Sequence, residues 1–161
     1  MKSVVYSRTG DPSVLRLVDR DVTEPGPGEV RVRVVVSGVN PTDWKSRLGS
    51  GDGAAPPFPE VTPNQDGAGI VDAVGEHVEN LAVGDRVWVY LAGHQRPTGT
   101  AQEYTNLPAS RVVRLPDGTS FDVSLITEGF WKYAEEPIFD RFRILQPIAE
   151  IESIGAGGGT I

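Results

Sequence analysis

Apolar and polar positions alternate with a period of two through much of this chain, which predicts strands rather than helices. In the stretch Val30 to Val39, Val32 and Val34 alternate with Arg31 and Arg33 before the run becomes apolar on both faces. It is the longest predicted strand. Gly69 to Val74 and Arg86 to Tyr90 predict two more, with turns marked by Gly75 and by Gly84-Asp85. Met1 to Tyr6 and Val14 to Val18 flank the turn Thr9-Gly10-Asp11-Pro12, and Ala101 to Asn106 and Val112 to Leu115 predict the last strands. The glycines at 67, 69 and 75 supply either positive φ or close backbone approach where the chain enters and leaves the sheet. One segment breaks the pattern: Asn40-Pro41-Thr42-Asp43 combines a helix cap with Pro at the first helical position, and Gly49 ends the short helix so begun. The whole predicts a mainly β fold, a small closed barrel with one short helix.

Length and composition narrow the class. The 161 residues suffice for one domain with a real core and an appendage, but not for two full domains. Hydrophobic residues at 39% and charged residues at 23% place the chain among globular proteins rather than disordered ones. No segment has the length of a membrane span and the first residues lack the apolar core of a signal peptide, so the expected location is the cytoplasm. The absence of cysteine removes disulfides and thiolate metal sites together. A net charge of −7 argues against nucleic acid or an anionic membrane as partner.

Three motifs in order carry a resemblance: GVNPTDWKSRLG at Gly38 to Gly49, NQDGAGIVDAVG at Asn64 to Gly75 and VGDRVW at Val83 to Trp88. With them the chain, from Met1 to about Val123, resembles the amino-terminal GroES-like domain of the medium-chain dehydrogenase/reductases, and within these the zinc-free quinone oxidoreductase branch. The resemblance implies a GroES-like β-barrel over residues 1–121 and direct hydride transfer from NADPH to a small carbonyl or quinone. In zinc-dependent relatives the position after the long strand is a metal-binding Cys, and the motif before the glycine-rich strand contributes a His. Here these positions are Asn40 and Gln65, neither able to replace such a ligand, so no zinc is expected.

The same resemblance places Asn40 and Pro41 beside the nicotinamide, with Lys45, Gln65 and Asp66 on the same cleft. Asn40 reads either as an amide offered to cofactor or substrate or as a helix cap. Lys45 stands where many of these reductases have a Tyr; it reads as a carbonyl- or phosphate-binding cation or as a solvated helix lysine. Asp66 reads as an Asx-turn residue or a partner for Arg47. His77 and His94 have no ligand-type neighbour at metal spacing and read as surface residues, and Trp44 and Trp88 as core or interdomain packing.

Beyond Leu115 a second resemblance takes over. GTSFDVSLITEG at Gly118 to Gly129 and RFRILQPIAEIESIGAGGGTI at Arg141 to Ile161 are similar to the hydantoinase A, oxoprolinase and acetone-carboxylase β-subunit family, over residues ~118 to 161. It implies a fragment of an actin-like ATPase fold at residues 122–161, with Gly118, Thr119, Ser120 and Asp122 matching the Gly-Thr-Ser turn. Structurally the tail reads as a short β extension, a hairpin of Asp122 to Thr127 with Phe142 to Ile154, or as partly disordered. GAGGGT at Gly155 to Thr160 fails as a dinucleotide fingerprint, because no helix follows to receive a pyrophosphate, and a complete Rossmann domain is not expected. The expectation is a truncated or fused reductase-like chain, inactive alone and weakly self-associating. The alternatives are a non-catalytic barrel that binds a partner or small molecule through its exposed cleft face, and residual function from the hydantoinase-like tail.

Overall fold

Val30 and Val32 have no solvent exposure at all, and the strand that carries them, Glu29–Ser37, is the centre of the structure. In the computed structural model, residues 1–50, 53–119, 121, 138–139 and 142–143 are described. In chain order the elements are β1 (Lys2–Val5), β2 (Arg16–Asp19), β3 (Glu29–Ser37), α1 (Pro41–Leu48), β4 (Gly67–Val74), β5 (Arg86–Val89), β6 (Tyr104–Pro108) and β7 (Val112–Arg114). Short 3₁₀ turns lie at Pro12–Val14 and Ala109–Arg111. Farther on, β8 (Ile138–Phe139) pairs with β9 (Phe142–Arg143).

The main sheet has the order β6-β3-β4-β5-β7, antiparallel at every step, and β1 pairs with β2 in a separate ladder. Hydrogen bonds from Val4 N–H to the Ala101 carbonyl (2.9 Å) and from Glu103 N–H to the Lys2 carbonyl (3.0 Å) tie the small ladder to the large sheet. The closed barrel expected from the pattern is therefore a curled half-barrel. Its edges are β6 and β7, which each have one neighbour. Register shifts between Arg31 and Val32 and between Val34 and Val36 add local twist to β3.

One cluster buries Val30, Val32, Val71, Val87, Val89, Leu107 and Val112, joined by Leu81 and Ala92 from the connections. Full burial of each such side chain contributes about 1.5–3 kcal/mol, so this cluster is the main source of stability. Gly69 and Gly75 serve close approach. A Cβ on Gly69 would lie 2.2 Å from the Arg33 carbonyl oxygen, and one on Gly75 2.0 Å from that of Gly26.

Three predicted details change. The strand expected from Val14 starts at Arg16, because the Asp11 carboxylate accepts the Ser13 N–H (2.8 Å) and caps the preceding turn. The strand expected from Ala101 starts at Tyr104 and runs to Pro108. On β3, Val35 is 47% exposed, so the apolar run does not bury both faces. The hairpin expected between Asp122 to Thr127 and Phe142 to Ile154 lies mostly outside the described residues, within which Phe142 pairs with Phe139.

Candidate functional site

Three chain segments converge where β3 gives way to α1. Pro41 occupies the first helical position, where the missing N–H costs no intrahelical bond, and Asp43 is the third. The Asp43 carboxylate accepts the backbone N–H of Asn40 at 2.7 Å and also that of Gln65, so one side chain joins the helix start to the segment before β4. Asp43 is only 7% exposed. Burial pushes its carboxyl above the usual range, and the two N–H donors pull the other way.

A second carboxylate repeats this joining role. Asp66 accepts from Asn40 Nδ2 at 2.6 Å and from the backbone N–H of Leu91, in the connection after β5. Its carboxyl is likewise raised, first by burial, and the nearby Asp43 charge adds to the effect. Beneath it, Thr100 donates to the Asp66 carbonyl (2.6 Å) and meets Ser37 Oγ (2.9 Å), to which Asn64 Nδ2 also donates (2.9 Å). Asn64 (φ 73°) and Leu91 (φ 51°) are both left-handed although neither is glycine. Such conformations persist where surrounding contacts over-determine them. Gln65 accepts the Ala92 N–H on its carbonyl (2.8 Å), while its side-chain Oε1 is buried without a hydrogen-bond partner.

Asn40, Pro41, Gln65 and Asp66 are thus brought together, and Lys45 is not grouped with them. The Lys45 ammonium lies 5.5 Å over the Trp44 ring on an exposed turn of α1. Arg47 donates to the Gly10 carbonyl (2.5 Å), so the proposed Arg47 partnership of Asp66 gives way to the amide of Asn40 and the Leu91 N–H, and Asp66 forms no Asx-turn of its own. The Asn40 side chain is directed to Asp66 rather than to the helix, and it is the Asp43 carboxylate that closes on the Asn40 N–H. Around this corner Val39, Trp44, Leu48, Tyr90 and Leu91 stand exposed. Of two cavities, about 340 and 300 Å³, one is lined by Arg20, Arg31 and Arg96 among others, and the other by Leu17, Val34 and Val35 and by Ser37 and Thr100 beneath the corner.

Sequence reasoning missed Asp43 as a junction and Leu91 as a donor. Asp at the third helical position after Asn-Pro is a capping-box signal that points to the former. Nothing in the local sequence marks a left-handed Leu91. At the far end of the domain, Gly118 (φ 79°) and Thr119 close a turn through the Thr119 N–H to the Pro116 carbonyl (3.2 Å). Arg86 donates to the Thr119 carbonyl and stacks on Phe121, its guanidinium 4.4 Å from the ring centroid. Ser120 and Asp122 lie outside the described residues.

A half-barrel whose helix start, pre-β4 segment and post-β5 connection meet in one polar corner defines a class. The model of the alcohol dehydrogenase GroES-like domain matches residues 26–117, and the chain belongs to that family. It is 40% identical over 121 residues to a quinone oxidoreductase of Pseudomonas aeruginosa, which covers 75% of this chain and 35% of that protein. It is 35% identical over 161 residues to the synaptic vesicle membrane protein VAT-1 homolog of Homo sapiens, covering 99% of this chain and 39% of the relative. Among solved structures, the quinone oxidoreductase of Escherichia coli complexed with NADPH superposes with a TM-score of 0.65 at 28% identity, over 75% of this chain and 35% of that one. The chain therefore spans well under half the length of these relatives. No helix among the described residues is long and apolar enough to cross a membrane.

Proposed function

We propose that the half-barrel is the substrate-side part of a quinone oxidoreductase-like catalytic unit, with Asn40, Pro41, Gln65 and Asp66 lining the place where a nicotinamide and a small quinone or carbonyl meet. The observation that carries this reading is the orphaned Gln65 Oε1, a buried acceptor beside the Asn40–Asp66 pair. A buried acceptor without a partner is costly, and a carboxamide N–H of NADPH is the kind of donor that relieves it. Bound there, the cofactor would supply the hydride, and the chain's own part is to orient the reactants and exclude water. Neither Asn40 nor Gln65 is a zinc ligand of the alcohol-dehydrogenase type, so the chemistry we assign to the corner is independent of zinc.

The described residues form no nucleotide-binding domain, and cofactor affinity from the corner alone is weak. Mixing the full chain with millimolar NADPH should therefore shift the side-chain amide resonances of Gln65 and Asn40, with negligible NADPH oxidation by simple quinones. Unshifted amides overturn the site assignment. Saturable turnover that Asn40→Ala abolishes overturns the expected inactivity of the chain alone.

The exposed Val39, Trp44, Leu48, Tyr90 and Leu91 favour a second reading, a non-catalytic barrel that binds a partner or small molecule through this rim. On either reading the rim supports weak self-association. Sedimentation velocity at tens of micromolar should show concentration dependence, and a single 17.3 kDa species throughout would refute it.

For residues 122–161 the motifs quoted above support a fused hydantoinase A-like fragment. The alignment with the VAT-1 homolog, which runs across the tail, supports continuation of the reductase family instead. Saturable ATP binding lost on deletion of 122–161 favours the former.

A further inference from the structure

The connection after β5 is held from one side by a single residue. Tyr90 N–H donates to the Arg111 carbonyl (3.2 Å) and the Tyr90 hydroxyl to the Ser110 carbonyl (2.8 Å), clasping the loop to the 3₁₀ turn at Ala109–Arg111. Arg111 completes the clasp: its Nη1 donates to the carbonyls of both Leu91 (2.8 Å) and His94 (3.0 Å). Leu91 is 44% exposed and left-handed, so apolar burial does not fix it, and the peptide that its carbonyl belongs to carries the Ala92 N–H, which donates to the Gln65 carbonyl (2.8 Å).

We propose that Arg111 is a positioning residue for the Asn40–Asp66 corner: by gripping the Leu91 carbonyl it sets the peptide whose other end, the Ala92 N–H, holds the Gln65 carbonyl, and hence the place of Gln65 and of its neighbour Asp66, which holds the Asn40 amide. The path is through the backbone rather than through charge, since the ionised group that acts on Asp66 is Asp43. The path runs from the guanidinium through the Leu91–Ala92 peptide to the Gln65 carbonyl, and from the next residue, Asp66, to Asn40 Nδ2. This is distinct from a general stabilising role, because Arg111 is not a member of the hydrophobic core cluster. The proposal rests on the corner being the reaction site, but its geometric content is measured without any turnover.

The experiment is nuclear magnetic resonance on the full chain with Arg111→Gln and Arg111→Lys, using Arg114→Gln as control. Arg114 lies at the far end of β7 and pairs with Asp85, away from the corner. Arg111→Gln should speed amide exchange at Ala92 by about tenfold, as expected for loss of the bonds that hold its peptide. It should also move the Asp66 carboxyl titration upward and shift the Asn40 side-chain amide. Arg111→Lys, with an ammonium able to reach one carbonyl, should restore part of each effect, and Arg114→Gln should cause none. Unchanged Ala92 exchange and Asp66 titration in a folded Arg111→Gln overturn the proposal, as do changes of equal size in Arg114→Gln. If Arg111→Gln does not fold, Arg111→Lys decides by the same two readouts. NADPH added to each sample separates the two readings: a corner that shifts with Arg111 but not with cofactor keeps the positioning role and rejects the reaction site.

Discussion

Replacing Asp43 by Ala is the sharpest test of how this corner is built. The substitution leaves the backbone N–H groups of Asn40 and Gln65 without their acceptor, in a place where the side chain is 7% exposed. Each buried N–H so abandoned costs about 1–3 kcal/mol. Against this stands the relief of a carboxylate that burial already disfavours, the reason its protonation is shifted upward. Taking the middle of the range for two donors and subtracting about 1 kcal/mol for that relief leaves a net loss of about 3 kcal/mol.

Asp43→Asn keeps one acceptor oxygen and removes the buried charge, so it should lose only about 1 kcal/mol. Urea unfolding of the full chain, followed by tryptophan fluorescence, measures both, and an unchanged m-value shows that the folded state remains the same. Should Asp43→Ala unfold within about 0.5 kcal/mol of the parent, the two N–H groups find water on their own and the joining role assigned here is wrong. A loss for Asp43→Asn equal to that of Asp43→Ala would show instead that the charge matters, not the acceptor.

Two further outcomes follow from other parts of the structure. Gly69→Ala drives a methyl to 2.2 Å from the Arg33 carbonyl oxygen and 2.8 Å from Val32 Cγ1, so β3 and β4 must part; a loss of about 3 kcal/mol in the same urea assay is expected. Asp66 binds its proton more tightly folded than unfolded, so its favourable contribution is present below about pH 3.8 and is lost as pH rises towards the higher folded value. Asp66→Asn lacks that loss, and its stability relative to the parent should improve between about pH 3.5 and pH 7; a difference that stays flat, or falls, contradicts the assignment.

Much of the scaffold was legible because its causes are local. Val30 and Val32 bury completely on alternate positions, Asn40-Pro41 starts the helix and Gly49 ends it. Gly69 and Gly75 were marked as sites of special backbone, although only the structure distinguishes close approach from positive φ. The openness of the barrel was not legible, since it depends on which strands lack a second neighbour. At the site, Asn40, Gln65 and Asp66 were named through the resemblance, yet their pairing was misread. The sequence neighbour Arg47 is drawn to Gly10, and the partners of Asp66 come from residue 40, before α1, and residue 91, after β5. Arg31 shows the same limit: it alternates like a solvent-facing residue but is turned in by Asp72 (2.6 Å) on β4 and Glu24 (3.0 Å).

The corner is pre-ordered by the chain itself. Its two acids lie one on α1 and one before β4, and each accepts at least one backbone N–H from a different segment, so the acids themselves tie Asn40, Gln65 and Leu91 together. Both acids carry a desolvation cost that two surface carboxylates would not, and a fold spends stability in that way where a fixed polar geometry is used. What surrounds them is the opposite: exposed Trp44, Leu48, Tyr90 and Leu91 offer apolar surface but no enclosure. Chemistry that needs a dry slot cannot proceed on a corner open to water, whereas recognition of one face of a ligand can. On the function proposed above, this half-barrel presents a hydrogen-bonding wall, and whatever covers the apolar rim supplies the enclosure.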